Sequence, residues 1–500
     1  MDILANIQLG FSQAATPVNL LYCFLGCFLG TLIGVLPGLG PAATIALLLP
    51  MTFTLDPATA LIMLAGIYYG AQYGGSTTAI LVNLPGESSS VVTAIDGYQM
   101  ARKGQAGLAL ATAALASFFA GTVATVVIAL AGPLLAAVAL RFQPADYFAL
   151  MVLGLVASVA LAQGSLIKAL CMVIFGLLAG LVGMDVTSGT PRMTMGRPEL
   201  LEGLSIVAVA MGIFGLGEII QNLVHGEEDR QTGQPQVRIT LPNRDELRRI
   251  RGPVLRGTAI GSLLGVLPGG GALLSSFTAY AMEKRFARDP SRFGKGAIEG
   301  VAAPEAANNA GAQTSLIPLL TLGLPSNVIA ALMAGAMIIQ GIQPGPDIIT
   351  SQPGLFWGLI ASMWIGNLML VMLNLPLIGI WIRLLSIPYK YLFPAILVFC
   401  CVGVFSLRFA PFDIWIMIAF GLMGYVFRRL DCEPAPFLLG MVLGPMMEEY
   451  FRRAMILSRG DPAVFVQRPL SAALLLLAAL AVIGICIPAI RNRRDEALQE

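Results

Sequence analysis

Charged residues and histidine are scarce in this chain. Only 12% of its 500 residues are charged, against about 25% in a soluble domain. The single histidine, His225, argues against a histidine-based metal site and against a Ser-His catalytic triad. No lysine or arginine precedes Arg102, so the basic start of a cleaved signal peptide is missing and we expect none. Six of the seven cysteines lie in apolar runs, where packing explains them.

Apolar sequence is what the chain has in abundance. Hydrophobic residues make up 57% of the chain, and its mean hydropathy is +0.80. Stretches such as residues 106–140, 355–382 and 471–490 reach the length of about 20 apolar residues that spans a bilayer. The pattern predicts an all-α polytopic membrane protein with about 12 membrane segments. The longest polar region, residues 225–256, leaves no room for a soluble catalytic domain.

Two short motifs occur twice. Residues 30–38 (GTLIGVLPG) return as residues 261–269 (GSLLGVLPG), 231 residues later. A second pair relates residues 74–78 (GGSTT) and 83–86 (NLPG) to residues 311–315 (GAQTS) and 323–326 (GLPS), at offsets of 237 and 240 residues. Because glycine and proline interrupt helices, each half is predicted to contain two helix breaks. Matched interrupted segments in two halves of a membrane protein point to a transport site.

The basic residues predict how the two halves are oriented. Short loops rich in lysine and arginine mark the cytoplasm, which places residues 225–256 and the basic stretch 284–295 inside. The first GVLPG copy has no basic residue on either flank, so its ends are expected outside. We therefore expect inverted-topology repeats with broken or re-entrant helices. The predicted organisation is a first repeat at 1–224, a cytoplasmic basic loop at 225–256, a second repeat at 257–465, and a last transmembrane helix with a cytoplasmic tail at 466–500.

The helix breaks are the predicted substrate site. Broken backbone survives in hydrocarbon only where it lines a polar cavity; freed N–H groups suit a carboxylate, and freed carbonyls suit a cation. Residues 1–100 and 296–382 contain no lysine or arginine, so amides and hydroxyls rather than a fixed cation are expected to hold an anionic substrate. The predicted substrate-binding residues are Gly38, Gly40, Ser76, Thr77, Asn83, Gly86, Gly269, Gly270, Gly271, Asn309, Thr314, Ser315 and Ser326.

Several polar residues admit two interpretations. Asn83 and Asn309 could ligate sodium together with carbonyls near the breaks, or could simply bond one helix to another. Glu305 follows a proline where a helix is expected to start, so stabilising that helix end and binding an ion are equally good interpretations. Asp96 precedes a basic stretch and is expected to be solvated or to cap a helix. The same expectation holds for Glu87 and Glu299.

Three motifs carry a resemblance to a known family. They are residues 69–76 (YGAQYGGS), 96–107 (DGYQMARKGQAG) and 304–310 (PEAANNA). In these the chain resembles the large permease subunit of tripartite tricarboxylate transporters, the TctA family, over nearly its whole length. The resemblance implies a multi-pass protein of the bacterial inner membrane that works with a small membrane subunit (TctB-like) and a periplasmic solute-binding protein (TctC-like). It also implies secondary transport of citrate or other carboxylates on an ion gradient, typically sodium, with the proton left open.

Two other classes of protein compete with a carrier. An ion channel also builds its filter from backbone carbonyls, but usually around a symmetric oligomer rather than from two copies in one chain. An intramembrane enzyme needs an acid, base, metal or nucleophile set in the membrane, and the single histidine argues against it. We therefore expect no enzyme activity, no organic cofactor and no nucleic-acid partner. Alternating access by movement of one helix bundle against another follows from the repeats, and a homo-oligomer is left open.

Overall fold

Helices dominate the structure, a computed structural model that describes residues 3–36, 40–83, 86–162, 165–185, 188–224, 239–267, 271–385 and 389–486. The first half contains α1 Ile3–Ala14, α2 Pro17–Gly34, α3 Pro41–Leu48, α4 Pro57–Val82, α5 Val91–Arg102, α6 Ala106–Ala139, α7 Pro144–Leu161, α8 Leu166–Gly180, α9 Ile206–Ala210 and α10 Gly217–Val224. A π-helical segment, Met211–Leu216, joins α9 to α10. The strands β1 Gly183–Met184 and β2 Pro191–Arg192 pair antiparallel.

The second half is helical as well. It contains α11 Arg244–Leu264, α12 Gly271–Phe286, α13 Glu299–Thr314, α14 Leu316–Leu322, α15 Val328–Ile339, α16 Ile348–Ser351, α17 Pro353–Asn374, α18 Ile378–Leu385, α19 Tyr389–Arg408, α20 Pro411–Arg429, α21 Ala435–Leu457, α22 Val464–Gln467 and α23 Pro469–Cys486. Short 3-10 turns at Leu49–Thr52, Ser88–Ser90, Pro198–Leu200 and Pro290–Arg292 complete the described elements.

Four described helices are long and apolar enough to cross a membrane. They are Pro17–Gly34, Ala106–Ala139, Pro353–Asn374 and Pro411–Arg429. Shorter apolar helices, among them Pro144–Ala160, Leu166–Gly180 and Pro469–Gly484, accompany them. The predicted all-α class is confirmed, whereas the total of about 12 membrane segments stays a prediction.

Local sequence signals set where the helices begin. Thr16 accepts a hydrogen bond from the Asn19 amide at the start of α2, and Asp56 accepts one from the Ala58 amide at the start of α4. Both helices then have proline in their first turn, where its missing N–H costs nothing. Asn327 caps α15 in the same way. These side chains satisfy amides that have no partner within the helix.

Part of the stretch predicted as a basic loop, 225–256, is helical. Asn243 and Glu246 form a reciprocal capping box, and α11 begins at Arg244 and continues through Pro253. The capping box supplies partners for the first amides of the helix, so the chain turns helical well before the second GVLPG copy. Residues 225–238, which include His225, lie outside the described residues.

Each half buries a stripe of glycines between two helices. In the first half, α2 packs against α4, and a Cβ at Gly30 would lie 2.4 Å from the Ile67 carbonyl oxygen. In the second, α11 packs against α13, and a Cβ at Gly261 would lie 2.4 Å from the Ala307 carbonyl oxygen. The glycines just before each break therefore let two backbones approach closely, as small residues do in membrane helix pairs.

Helices of the first half also pack against helices of the second. Helix α6 of the first half packs on α13 of the second, while α17 of the second packs on α4 of the first. In the same manner α8 packs on α21, and α20 packs on the π-helical segment Met211–Leu216. Helices α2, α4, α11 and α13, whose ends flank the predicted breaks, belong to this interlocked core.

Candidate functional site

A cavity of about 570 Å³ lies where the broken helices of both halves meet. Gly40 and Gly86 of the first half and Gly271 of the second all line it. Gly40 precedes α3 in an extended conformation, and Gly271 is the first residue of α12, so two helix N-termini face the cavity. The structure thus brings together glycines that the sequence singled out from two distant motifs.

Polar side chains from both halves surround this cavity. Glu87 lies in its wall and accepts a 2.8 Å hydrogen bond from the Asn308 amide nitrogen. Asn327, which caps α15, and Tyr68 and Gln72 of α4 line it as well. Glu87 is half-buried and caps the 3-10 turn Ser88–Ser90, so the expectation of a capping residue is confirmed and that of a solvated one is not. The arrangement supplies neutral donors and acceptors together with the Glu87 carboxylate.

An arginine also lines the cavity, although none was expected. Arg428, in the last turn of α20, contributes to the wall, and its Nη1 donates a 2.9 Å hydrogen bond to the Gln221 Oε1. Glu433 lies on the same side. Residues 1–100 and 296–382 contain no lysine or arginine. Helix α20 lies outside these spans and brings the Arg428 guanidinium to the cavity wall. The expectation that amides and hydroxyls rather than a fixed cation hold the substrate stays a prediction.

Three predicted residues hold the second break together and lie outside the cavity lining. Thr314 donates to the Ala310 carbonyl at 2.9 Å, and Ser326 donates to the Ser315 carbonyl at 2.7 Å. All three hydroxyl side chains are buried. In the first half, the Gly86 amide makes the matching contact to the Gly75 carbonyl at 3.4 Å. These residues shape the turn in each half. The residue that follows each turn, Glu87 in the first half and Asn327 in the second, faces the cavity.

Ser76 contacts a buried carboxylate instead, Asn309 reaches it through Ser117, and Thr77 lines a small cavity beside it. Ser76 donates a 2.8 Å hydrogen bond to Glu305, and Asn309 donates to the Ser117 hydroxyl at 2.6 Å. Glu305 lies in the middle of α13 and is 1% exposed. The interpretation that Glu305 stabilises a helix start is therefore wrong, because α13 begins six residues earlier at Glu299 and contains the proline.

Another predicted residue, Asn83, does not line the cavity. Asn83 is exposed at the end of α4, where its φ of 55° closes the helix in the left-handed region. Gly323 ends α14 in the same left-handed conformation, with φ of 73°. Gly38, Gly269 and Gly270 lie outside the described residues.

Two acidic residues near the basic stretches have structural partners. Asp96 is fully buried and accepts 2.7 Å hydrogen bonds from the Gly296 and Ala297 amides and one of 2.9 Å from the Tyr280 hydroxyl. Of the two expectations for Asp96, capping is confirmed and solvation is not, because its carboxylate accepts backbone amides of the other half just before α13. Glu299 pairs with Arg249 and Arg292.

A second cavity, of about 710 Å³, lies on the other side of the second break. Gly323 and Pro325 line it, together with residues of the 341–348 stretch and Arg453. Asn327, two residues after Pro325, lines the central cavity. The turn at residues 323–327, with Ser326 buried in it, therefore separates the two cavities.

Broken backbone enclosed by apolar helices, around a polar cavity, defines a multi-pass membrane protein of the transporter class. The chain belongs to the tripartite tricarboxylate transporter TctA family, which it matches over residues 20–439. It is thus a component of a tricarboxylate transporter.

Two relatives from Agrobacterium vitis resemble the chain. One is described as an uncharacterized 52.8 kDa protein in the TAR-I ttuC' 3' region and is 60% identical over 500 residues, which cover 100% of this chain and 99% of that protein. The other, an uncharacterized protein in the TAR-II ttuC' 3' region, is 60% identical over 240 residues, or 48% of this chain and 99% of that protein. No solved structure matches the chain.

Sequence reasoning missed several residues of the cavity wall. Tyr68, Gln72 and Arg428 stand in no duplicated motif, so nothing in the sequence linked them to the breaks. Asn327 could have been identified from the sequence, because it immediately follows the GLPS motif of the second half. Glu87 follows the NLPG motif of the first half in the same way. The repeat, carried one residue further, would have identified both.

Proposed function

We propose that this protein is the permease subunit of a binding-protein-dependent secondary transporter that imports tricarboxylates or related carboxylates with a cation gradient, sodium being favoured. The observation that carries the proposal is the pair of cavities on either side of the turn at residues 323–327. A carrier needs a site that is reached from each side in turn, and a thin movable barrier between two polar cavities suits that requirement.

The central cavity suits a small polyanion. Its volume of about 570 Å³ is within the range of about 300–1,000 Å³ that is usual for ligand sites. The N-termini of α3, α12 and α15 face it through Gly40, Gly271 and Asn327, and each helix N-terminus favours negative charge. Arg428 adds a full positive charge and a planar fork for a carboxylate.

The Glu87 carboxylate in the same wall supports cation coupling. A carboxylate substrate entering beside Glu87 and Glu433 brings like charges together in a poorly hydrated space. A cation that binds with the substrate removes this repulsion. The acidic residues of the cavity wall therefore support coupling to sodium or to protons.

The direction of transport follows from the proposed topology. The two halves are proposed to be inverted repeats, with the basic stretches 244–256 and 284–295 in the cytoplasm of a bacterial inner membrane. The central cavity then opens inward past Arg428, and the cavity at residues 341–348 faces the periplasm, where a solute-binding protein would deliver substrate. A small membrane subunit and that binding protein are the proposed partners.

Uptake in cells that lack their own carboxylate carriers tests the proposal. The permease is expressed with the small subunit and the binding protein, and labelled di- and tricarboxylates are supplied with and without a sodium gradient. Saturable uptake that needs all three components and a sodium gradient is the expected result. Uptake by the permease alone, or flux that rises linearly with concentration, would point to a channel and contradict the proposal.

A further inference from the structure

A buried carboxylate in the second half is surrounded by hydroxyls of the first half. The Glu305 oxygens accept hydrogen bonds from Thr93 at 2.6 Å, from Ser76 at 2.8 Å and from Ser117 at 3.2 Å. These serines and the threonine belong to α4, α5 and α6, while Glu305 belongs to α13. Asn309, one turn along α13, donates to Ser117 at 2.6 Å and fixes that hydroxyl. Four helices from both halves therefore meet at one charge.

No positive side chain accompanies this charge among the described residues. The Glu305 oxygens bond only to hydroxyls. The titratable groups on neighbouring elements whose charges reach Glu305 are Glu87, before Ser88–Ser90, and Tyr73, in α4, and neither can be positive. An uncompensated buried carboxylate costs several kcal/mol, even after the surroundings relax. A bound cation would compensate the charge of the Glu305 carboxylate.

A small cavity lies against the carboxylate and has room for one. Its volume is about 20 Å³, and Ser76, Ser117, Glu305 and Asn374 are among the residues lining it. A space of about 10–15 Å³ or more holds a particle the size of a water molecule. The Asn374 side-chain oxygen is buried in this wall and has no hydrogen-bond partner. An unused buried oxygen is costly unless a ligand fills it.

We propose that Glu305, with the hydroxyls of Ser76 and Ser117 and the side-chain oxygen of Asn374, binds one sodium ion. Hard cations take carboxylate, hydroxyl and amide oxygens as ligands, and these four residues supply them from the four helices α4, α6, α13 and α17. Protonation would neutralise Glu305, but it would leave the Asn374 oxygen without a hydrogen-bond partner and the small cavity unfilled. The role of this ion in coupling rests on the proposed function.

The sodium site is joined to the central cavity by two short connections. Ser76 follows Gly75, whose carbonyl accepts the amide of Gly86 in the cavity wall. Glu305 precedes Asn308 by one helical turn, and Asn308 holds Glu87 in the same wall. A bound ion would draw α4 and α13 together, and both helices position the residues that face the substrate. Ion binding and substrate binding would then stabilise the same arrangement.

Sodium binding to the purified full-length protein tests the site without any substrate. Thermal unfolding is followed in sodium chloride and in choline chloride at equal ionic strength. We expect a saturable sodium-dependent rise of Tm in the wild type, its loss in Glu305→Gln, and at least a tenfold weaker apparent sodium affinity in Asn374→Ala. Glu202→Gln, which changes a glutamate that is 79% exposed, is the matched control and should behave as wild type.

The outcomes separate this inference from the proposed function. If the wild type transports carboxylates on a sodium gradient while Glu305→Gln and Asn374→Ala keep wild-type sodium dependence, the site is wrong and the function stands. If sodium stabilises the wild type through Glu305 but no carboxylate is moved, the function is wrong and the site stands. Should Glu305→Gln fail to fold, unchanged sodium affinity in Asn374→Ala and Ser117→Ala would overturn the site. A Glu305→Gln variant that loses only coupling to a pH gradient would also overturn it, because the ligand would then be a proton.

Discussion

The Asn308 amide of the second half donates a 2.8 Å hydrogen bond to the Glu87 carboxylate of the first. The opposite contact exists as well, since the Tyr68 hydroxyl of the first half lies close to the Asn327 side chain of the second. Glu87 and Asn327 are 240 residues apart in the sequence, and so are Tyr68 and Asn308. A pair of contacts in which each half plays both roles is what two inverted repeats would produce. It supports the proposed repeats and locates their meeting point at the cavity.

Removing the Asn308 amide should impair substrate binding. Asn308→Ala leaves the Glu87 carboxylate without its donor, and a hydrogen bond to a charged group contributes about 1.5–3 kcal/mol. We expect the KM for carboxylate uptake to rise about tenfold or more. The control is Asn83→Gly, because Asn83 is exposed and its left-handed conformation suits glycine. Equal KM values for both variants and the wild type would show that the Glu87–Asn308 pair has no part in the site.

Side chains in the glycine stripes should prevent the helices from packing. Gly261→Val would place a Cβ 2.4 Å from the Ala307 carbonyl oxygen, and overpacking of this kind costs about 1–3 kcal/mol or more because backbone must move. We expect a clear fall in Tm and in the yield of folded protein from detergent. Gly484→Ala, with nothing within 4 Å of its added methyl, should leave both unchanged. A Gly261→Val protein as stable as wild type would mean that α11 and α13 do not pack as closely as described.

The sequence revealed the site only where the chain repeats itself. Gly40, Gly86 and Gly271 could be predicted because duplication made the breaks visible. Arg428 could not, since it comes from a helix far along the chain and carries no motif. Glu305 was ambiguous because a proline suggested a helix start, whereas α13 accommodates Pro304 internally. Glycines recur every four residues before each break in the sequence, but the helix against which they pack depends on tertiary structure.

Asp96 should stabilise the contact between the two halves. Its carboxylate accepts two backbone amides and the Tyr280 hydroxyl, and each bond to a charged acceptor contributes about 1.5–3 kcal/mol. Asp96→Asn is expected to lower the free energy of unfolding by about 2 kcal/mol or more, measured by denaturant titration in detergent. Tyr280→Phe removes one of the three bonds and should cost less. A larger loss for Tyr280→Phe than for Asp96→Asn would refute the role given to the carboxylate.

Arg428 should contribute to recognition of the substrate. Arg428→Gln removes the positive charge from the cavity wall, so we expect the KM for a tricarboxylate to rise more than tenfold, and more than the KM for a dicarboxylate. Arg429→Gln changes the exposed neighbouring arginine and is the matched control. Initial uptake rates over a range of substrate concentrations measure both. Identical effects of the two substitutions would assign Arg428 a general electrostatic role instead.

Accumulation of a labelled tricarboxylate in proteoliposomes is the most direct test of a carrier with alternating cavities. The vesicles contain the permease with its small subunit, the binding protein is added outside, and an inward sodium gradient is imposed. The account predicts that internal substrate rises above the external concentration and falls back when a sodium ionophore collapses the gradient. Substrate that only equilibrates with the outside, whether or not the gradient is present, would contradict it.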